Sequence, residues 1–350
     1  MNEIVLRYRK YRSRVWRFIW GMLFCLGVVI GIALLTGSRS ISWQDVFDLW
    51  QGKGDEMNRQ IIYHIRLPRI FGALFAGVIL ALSGVVMQIL LRNPLASPYT
   101  LGISNAAAFG ASFGIVFLAG QTGIVDGDSS FLTSGYVVTW ASLAGSLCGL
   151  GGILCIIRFK QASIETIVLS GVIINSLFSA GITVIQYLAD HVQLASIVFW
   201  NFGDLGRSDW DKVGILCLLL FPMLIYFYLK RWDYKVLAAG DDYARSMGVY
   251  PQRTRLIGLI VTSLCTAIVV SFFGVIAFVG LVVPHIVRKC IGDNEEFLLI
   301  ATAIFGGMFL LLCDTLARSL LSPIVLPVGI LTSFLGAPLF LFLLIRKKNE

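Results

Sequence analysis

The chain has 350 residues, of which 57% are hydrophobic and 14% charged, with a mean hydropathy of +0.83. So few polar residues cannot cover a soluble globule of this size, and the composition demands a lipid-facing surface with several membrane crossings. The formal charge of +8 lies in short basic clusters between apolar runs, a pattern of membrane topology that excludes nucleic acid as a partner.

Arg7, Arg9, Lys10, Arg12, Arg14 and Arg17 precede an apolar run from Phe18 to Leu35. The basic region is too long for a signal peptide and no small-residue cleavage pattern precedes Ser38. The reading is an uncleaved first helix with residues 1–17 as a cytoplasmic N-terminus. Ser42 is placed to cap SWQDVFDLW, whose Trp43, Val46, Phe47 and Trp50 make an apolar side suited to the outer interface. The stretch from Arg66 to Asn105 follows: two arginines around Leu-Pro, then a run from Ile70 to Leu91 whose clearly polar residues are Ser83 and Gln88. It is long enough to cross a bilayer, and Gly72, Ala73, Ala76, Gly77, Ala81, Ser83 and Gly84 let neighbouring helices come close. Pro94 breaks the run in a polar turn.

Further crossings are predicted at 101–119, 135–157, 164–188, 212–229, 256–274, 275–287, 297–317 and 326–345, which with the first two makes ten. The 275–287 run is short, follows Phe273-Gly274 without a polar loop and holds Pro284, so it reads as a half-helix inside the bundle. Residues 120–134 and 190–211 are the main outer loops, the latter with a short helix and turn at FWNFGDLG. With the N-terminus inside, basic residues concentrate on the cytoplasmic face, at the start, at Arg92, Arg158 and Lys160, in the 230–255 loop, at Arg288 and Lys289, and in the 346–350 tail. Both termini are therefore expected in the cytoplasm, and Arg66, Arg69 and Arg318 fall on the face where arginine is disfavoured. Crossings two to five and seven to ten run in opposite senses, which suggests an inverted repeat.

Polar residues inside the runs are few. Gln88, Asn175, Ser179, Thr183 and Gln186 suit interhelical hydrogen bonds, and Asp314 is the acid set deepest in an apolar run, one turn from Arg318. The seven cysteines are odd in number, lack a Cys-x-x-Cys pair and read mostly as buried packing. His64, His191 and His285 share no metal-ligand spacing, so no metal site, catalytic residue or cofactor is assigned. In AAGDDYARSMGVYPQRTR, Asp241 and Asp242 suit the positive end of a short helix, Gly248 its C-terminal stop, and Pro251 lies beyond. No Gly-x-x-x-x-Gly-Lys-Ser/Thr occurs, so any ATP chemistry belongs to another chain.

Several motifs occur in a telling order: RLPR, LALSGVVMQ and RNPLASPYTLGISN, then FVGLVVPHIVR at 278–288, DTLAR at 314–318 and LPVGILTSFLGAPLFLFLL at 326–344. From Arg66 onward the chain resembles the FecCD-type permease subunit of binding-protein-dependent ABC importers for ferric siderophores, haem and cobalamin. The resemblance implies an all-α polytopic protein of about ten transmembrane helices with an inverted repeat, the type II ABC importer permease fold, as one permease domain over 1–350 in a bacterial-type inner membrane. It implies a homodimer, two ATPase subunits, an extracytoplasmic substrate-binding protein and a metal chelate as cargo, with ferric siderophore the commonest class. It assigns Arg66, Arg69 and Arg318 to docking of acidic residues on the binding protein. Gly240, Asp241, Asp242, Tyr243, Ala244, Arg245, Ser246, Met247 and Gly248 become the coupling segment seated on the ATPase. Asn93 and Leu95 form an inner gate, and the fifth and tenth crossings line the path. Glu165 departs from the small-residue pattern expected for a second constriction at 163–166. The alternatives, an intramembrane enzyme or an ion-coupled secondary carrier, lack a catalytic set and buried carboxylates respectively.

Overall fold

The computed structural model describes residues 2–37, 41–53, 55–119, 130–160, 163–292, 294–321 and 324–346. The outer loop expected over 120–134 lies outside them up to residue 129, as do Arg39 and the tail beyond Arg346. Helix α1 (Asn2–Leu35) is continuous over 34 residues, so the basic N-terminal stretch is a helical extension of the first crossing. At that lower end the Tyr11 hydroxyl donates to the Ile291 carbonyl at 2.8 Å, and Tyr11 and Trp16 meet Phe297 edge-on. Helix α2 (Trp43–Trp50) starts as expected: Ser42 Oγ accepts from the Asp45 amide at 3.2 Å while Asp45 Oδ2 accepts from the Ser42 amide at 2.8 Å. Its Trp43 and Phe47 remain exposed, the arrangement of a helix lying in an interface.

Helix α3 (Glu56–Gln60) widens through one π turn over 61–66 into α4 (Leu67–Leu90), with Pro68 in the first turn where a missing amide costs nothing. This α4 is the axis of the bundle. It packs on α9 (Trp210–Leu229), α12 (Pro251–Phe273), α13 (Val279–Ile291) and α14 (Glu295–Ser319). Backbones touch where glycines face each other: a Cβ on Gly77 would strike the Gly306 carbonyl, and one on Gly84 the Gly280 carbonyl. A second group joins α5 (Ile103–Phe113), α6 (Ser130–Lys160) and α7 (Ile164–Leu188) against the lower end of α4.

The remaining helices are α8 (His191–Asn201) at the outer end, α10 (Arg231–Ala238) and α11 (Asp241–Ser246) at the inner end, and α15 (Val328–Arg346). The helix α10 lies in the part of the 230–255 loop where no helix was expected; Tyr234 and Leu237 bury its inner side. All ten predicted crossings are helical, as α1, α4 to α7, α9 and α12 to α15. Seven of the described helices are long and apolar enough to span a membrane. The 275–287 crossing is the expected half-helix: α12 stops at Phe273, Gly274 (φ +76°) and Phe278 (φ +66°) bracket a non-helical segment, and α13 has 13 residues. Non-helical backbone at membrane depth needs protein partners. One is visible where the Asp204 amide donates to the Phe273 carbonyl at 2.7 Å.

Two expectations about side chains fail. Cys265 and Cys313 are buried, but Cys25, Cys148, Cys155 and Cys290 are exposed, because a crossing in lipid has no need to hide an apolar sulfur from its surroundings. Thr183 does not bridge helices; its hydroxyl donates to the Ser179 carbonyl of its own α7 at 3.1 Å, on an exposed face. Gln88 does bridge, pairing with Arg288 of α13 and reaching the Gly280 and Leu281 carbonyls at 3.4 Å.

Candidate functional sites at the two ends of the bundle

At the outer end, Arg66, Arg69 and Arg318, each expected to face the binding protein, lie near one another and are turned inward. Arg66 ends the π turn and Arg69 lies in the first turn of α4; Arg318 lies one turn beyond Asp314 at the end of α14. Asp314 is fully buried. Arg69 Nε lies 3.0 Å from each of its carboxylate oxygens and Nη2 2.8 Å from Oδ1, while Arg318 Nε lies 3.1 Å from Oδ2. Arg69 also faces Asp204 at 3.8 Å, a contact that nothing in the sequence announced. Arg66 donates to the Leu34 carbonyl and Arg318 to that of Thr36 at 3.3 Å, which ties the end of α1 to α4 and α14. Arg66 is 3% and Arg318 8% exposed. The cause is electrostatic: a carboxylate buried this deeply requires cationic partners, and it draws both nearby forks inward.

At the inner end, α11 spans the six residues Asp241–Ser246. Gly248 adopts φ +80°, and its amide donates to the Arg245 carbonyl at 3.0 Å while the Val249 amide reaches back to that of Ala244 at 2.9 Å. This is the glycine-terminated Schellman closure that the sequence suggested. Ala244 is fully buried against its own chain, whereas Tyr243 and Met247 stand half-exposed or more. Asp241 ties the helix down. Arg255 donates Nη1 to Oδ2 at 2.7 Å and Nη2 to Oδ1 at 2.6 Å, and its Nε donates to the Leu90 carbonyl at 3.0 Å. Arg92 pairs with the same Asp241 Oδ1. Burial and then the charge of Arg255 lower the Arg92 pKa, opposed by Asp242.

Both ends of the molecule thus carry a carboxylate shared by two arginines, on a bundle whose interior is apolar. Residues 25–346 match the FecCD transport family. The chain belongs to the FecCD transport family. It is 45% identical, over 98% of each sequence, to an ABC transporter permease protein of Methanocaldococcus jannaschii. To the hemin transport system permease protein HmuU of Yersinia pestis it is 34% identical, covering 95% of this chain and 97% of that one. A metal-chelate type ABC transporter solved in an inward-facing conformation superposes with a TM-score of 0.81 at 31% identity, over 94% of this chain and 99% of the other. This FecCD chain is a multi-pass permease subunit of an ABC importer, not an enzyme, and the ATP chemistry lies in a partner.

In the FecCD chain the candidate gate adjoins α11. Asn93 Oδ1 accepts from the Leu95 amide at 2.9 Å, folding the loop over Pro94, and Leu95 is 45% exposed. At the start of α7, Ser163 Oγ accepts from the Thr166 amide at 3.1 Å and Glu165 is exposed. Arg92, Ser163, Glu165, Asp241, Tyr243 and Arg255 line one polar cavity of about 480 Å³ between these elements. The sequence reading counted Arg92 and Arg255 only as topological charges. Their positions offered a signal, one at a helix end beside Asn-Pro and the other on the first turns of a crossing facing a cytoplasmic acid pair.

Proposed function

We propose that this permease is one of two identical halves of an importer for a bulky metal chelate, receiving cargo from an extracytoplasmic binding protein and driven by two ATPase subunits. The observation that carries the reading is α11: a short helix closed by Gly248, fastened to α4 and α12 through Asp241 and Arg255, and presenting Tyr243 and Met247 outward. Such a rigid knob suits a cleft on an ATPase, with Gly240 to Gly248 as the coupling segment and Asn93 and Leu95 as the inner gate beside it. In this orientation α11 and both termini lie in the cytoplasm, the membrane is the inner membrane, and residues 1–350 act as one domain.

A cavity of about 570 Å³ beside the α12–α13 break supports the cargo class. Tyr99, Phe202, Val275, Ile330 and Phe334 line it with Asn201 and Ser333 and, among the described residues, no charged side chain, which suits the mixed surface of a ferric siderophore better than a small charged ion. The apolar residues Leu169, Val172, Ile173, Leu177 and Val184 remain exposed along α7, which supports contact with a second copy along the path.

The test is reconstitution of the permease with its ATPase, supplied with a binding protein loaded with ferric siderophore. ATP-dependent uptake is expected; uptake that follows an ion gradient without the ATPase overturns the reading. For the outer arginines the burial of Arg66 and Arg318 favours a second reading, in which they fasten α1, α4 and α14. Docking predicts that Arg69→Gln weakens binding-protein association and flattens its salt dependence. A purely structural tie predicts unchanged association per folded molecule.

A further inference from the structure

We propose that Arg92 is the positioning residue through which displacement of α11 reaches the inner gate, by way of its ion pair with Asp241. The inference rests on the coupling role of α11 and adds the route inward from it.

Helix α4 ends in the same closure as α11. The Arg92 amide donates to the Ile89 carbonyl at 3.2 Å and the Asn93 amide to that of Gln88 at 3.1 Å, with residue 92 at φ +43°. That left-handed position is filled by glycine at the end of α11 and by arginine here. An L side chain is disfavoured there, so the turn itself gives no reason for arginine. The reason visible in the structure is the guanidinium, which crosses the polar cavity to Asp241 on α11. The following residues are Asn93, Pro94 and Leu95, held as a unit by the Asn93 side chain and the proline ring.

The two arginines on Asp241 differ in a way that gives direction to the link. Arg255 is 2% exposed and is anchored on the Leu90 carbonyl, which makes it a fixed post. The Arg92 side chain is 34% exposed and sits on the turn itself. A shift of α11 therefore pivots about Arg255 and draws on Arg92, and the backbone at residue 92 sets the heading of the Asn93–Leu95 loop. A positive charge kept at this helix end only for topology or lipid contact would need neither the left-handed backbone nor the carboxylate.

The test compares Arg92→Gly, Arg92→Lys and an outward-face variant of α11, Tyr243→Ala with Met247→Ala, in the reconstituted permease with its ATPase and ferric-siderophore-loaded binding protein. Glycine keeps the turn and removes the ion pair. The expected result for Arg92→Gly is unchanged assembly and Tm, ATP hydrolysis close to parental, and about a tenfold fall in cargo moved per ATP. Lysine restores part of that ratio, because it keeps a cation within reach of Asp241. Parental cargo per ATP in Arg92→Gly overturns the proposal; so does a loss of uptake that only tracks a lowered Tm or lost assembly, which makes the pair a structural clamp. If the outward-face variant loses uptake while Arg92→Gly does not, the route alone fails. If both behave as parent, the coupling role of α11 fails with it.

Discussion

Asp314 at one end and Asp241 at the other have the same chemistry, one carboxylate between two arginines, in opposite surroundings. Asp314 has no exposed side-chain surface, and the side chains of its partners, Arg69 and Arg318, are 11% and 7% exposed. The Asp241 side chain is 33% exposed, with one buried partner and one that reaches it across a cavity. Burial decides what each can do. A fully desolvated cluster cannot exchange partners without leaving a charge uncompensated, which suits the outer one to a staple joining α1, α4 and α14. Water at Asp241 supplies a substitute partner during motion, so the inner cluster can act as a joint.

Removing the carboxylates separates the two most strongly. Asp314→Ala should cost about 3–5 kcal/mol by removing the carboxylate that two buried guanidiniums share, leaving Arg69 only its longer contact with Asp204 and Arg318 only the Thr36 carbonyl, read as a shifted unfolding midpoint in a denaturing-detergent titration. A loss below about 1 kcal/mol, the scale of an exposed pair, would erase the contrast. Asp241→Ala should cost less, about 1–3 kcal/mol, since Arg255 keeps the Leu90 carbonyl and the cavity admits water. Its larger effect should be on uptake, measured per assembled complex.

Gly248→Val sharpens the comparison inside the inner end, because it forces a branched side chain into a left-handed position at a cost of roughly 1–2 kcal/mol. Uptake and ATPase stimulation should fall together there, whereas loss of the Arg92 pair should part them. The smallest effect is expected at the gate. Asn93→Ala with Leu95→Ala should raise passive leakage of chelate from proteoliposomes without ATP while leaving stability within about 1 kcal/mol, since neither side chain is buried. Leakage equal to the parent at equal incorporation would leave the loop only its turn.

What was legible in the sequence follows from how local each signal is. Apolar runs gave ten helices, seven of them long enough among the described residues to span a membrane, and the Phe273-Gly274 step gave the half-helix. The pairing of Asp314 with Arg318 was visible because one helical turn separates them, and Gly248 because a glycine after a short polar helix is itself the closure. The inward turn of Arg66 and the contact of Arg69 with Asp204 depend on which helix ends meet in space. The side on which Ala244 lies could not be read from six residues without their support. Arg92 and Arg255 were hidden for the same reason: each looks like one more cytoplasmic charge until the fold sets Asp241 between them.

The fastening of α1 also constrains how the molecule is made. The Tyr11 hydroxyl bonds a carbonyl 280 residues later, and its ring and that of Trp16 rest on Phe297. At ordinary elongation rates the partner surface leaves the ribosome tens of seconds after α1, on the order of 280 residues at 5–20 per second. The lower end of α1 is therefore made well before it can reach this seat. Until α13 and α14 have been inserted, its aromatic lower end must be held by lipid or by the insertion machinery, and a chain cut short before Ile291 would leave α1 without this mooring.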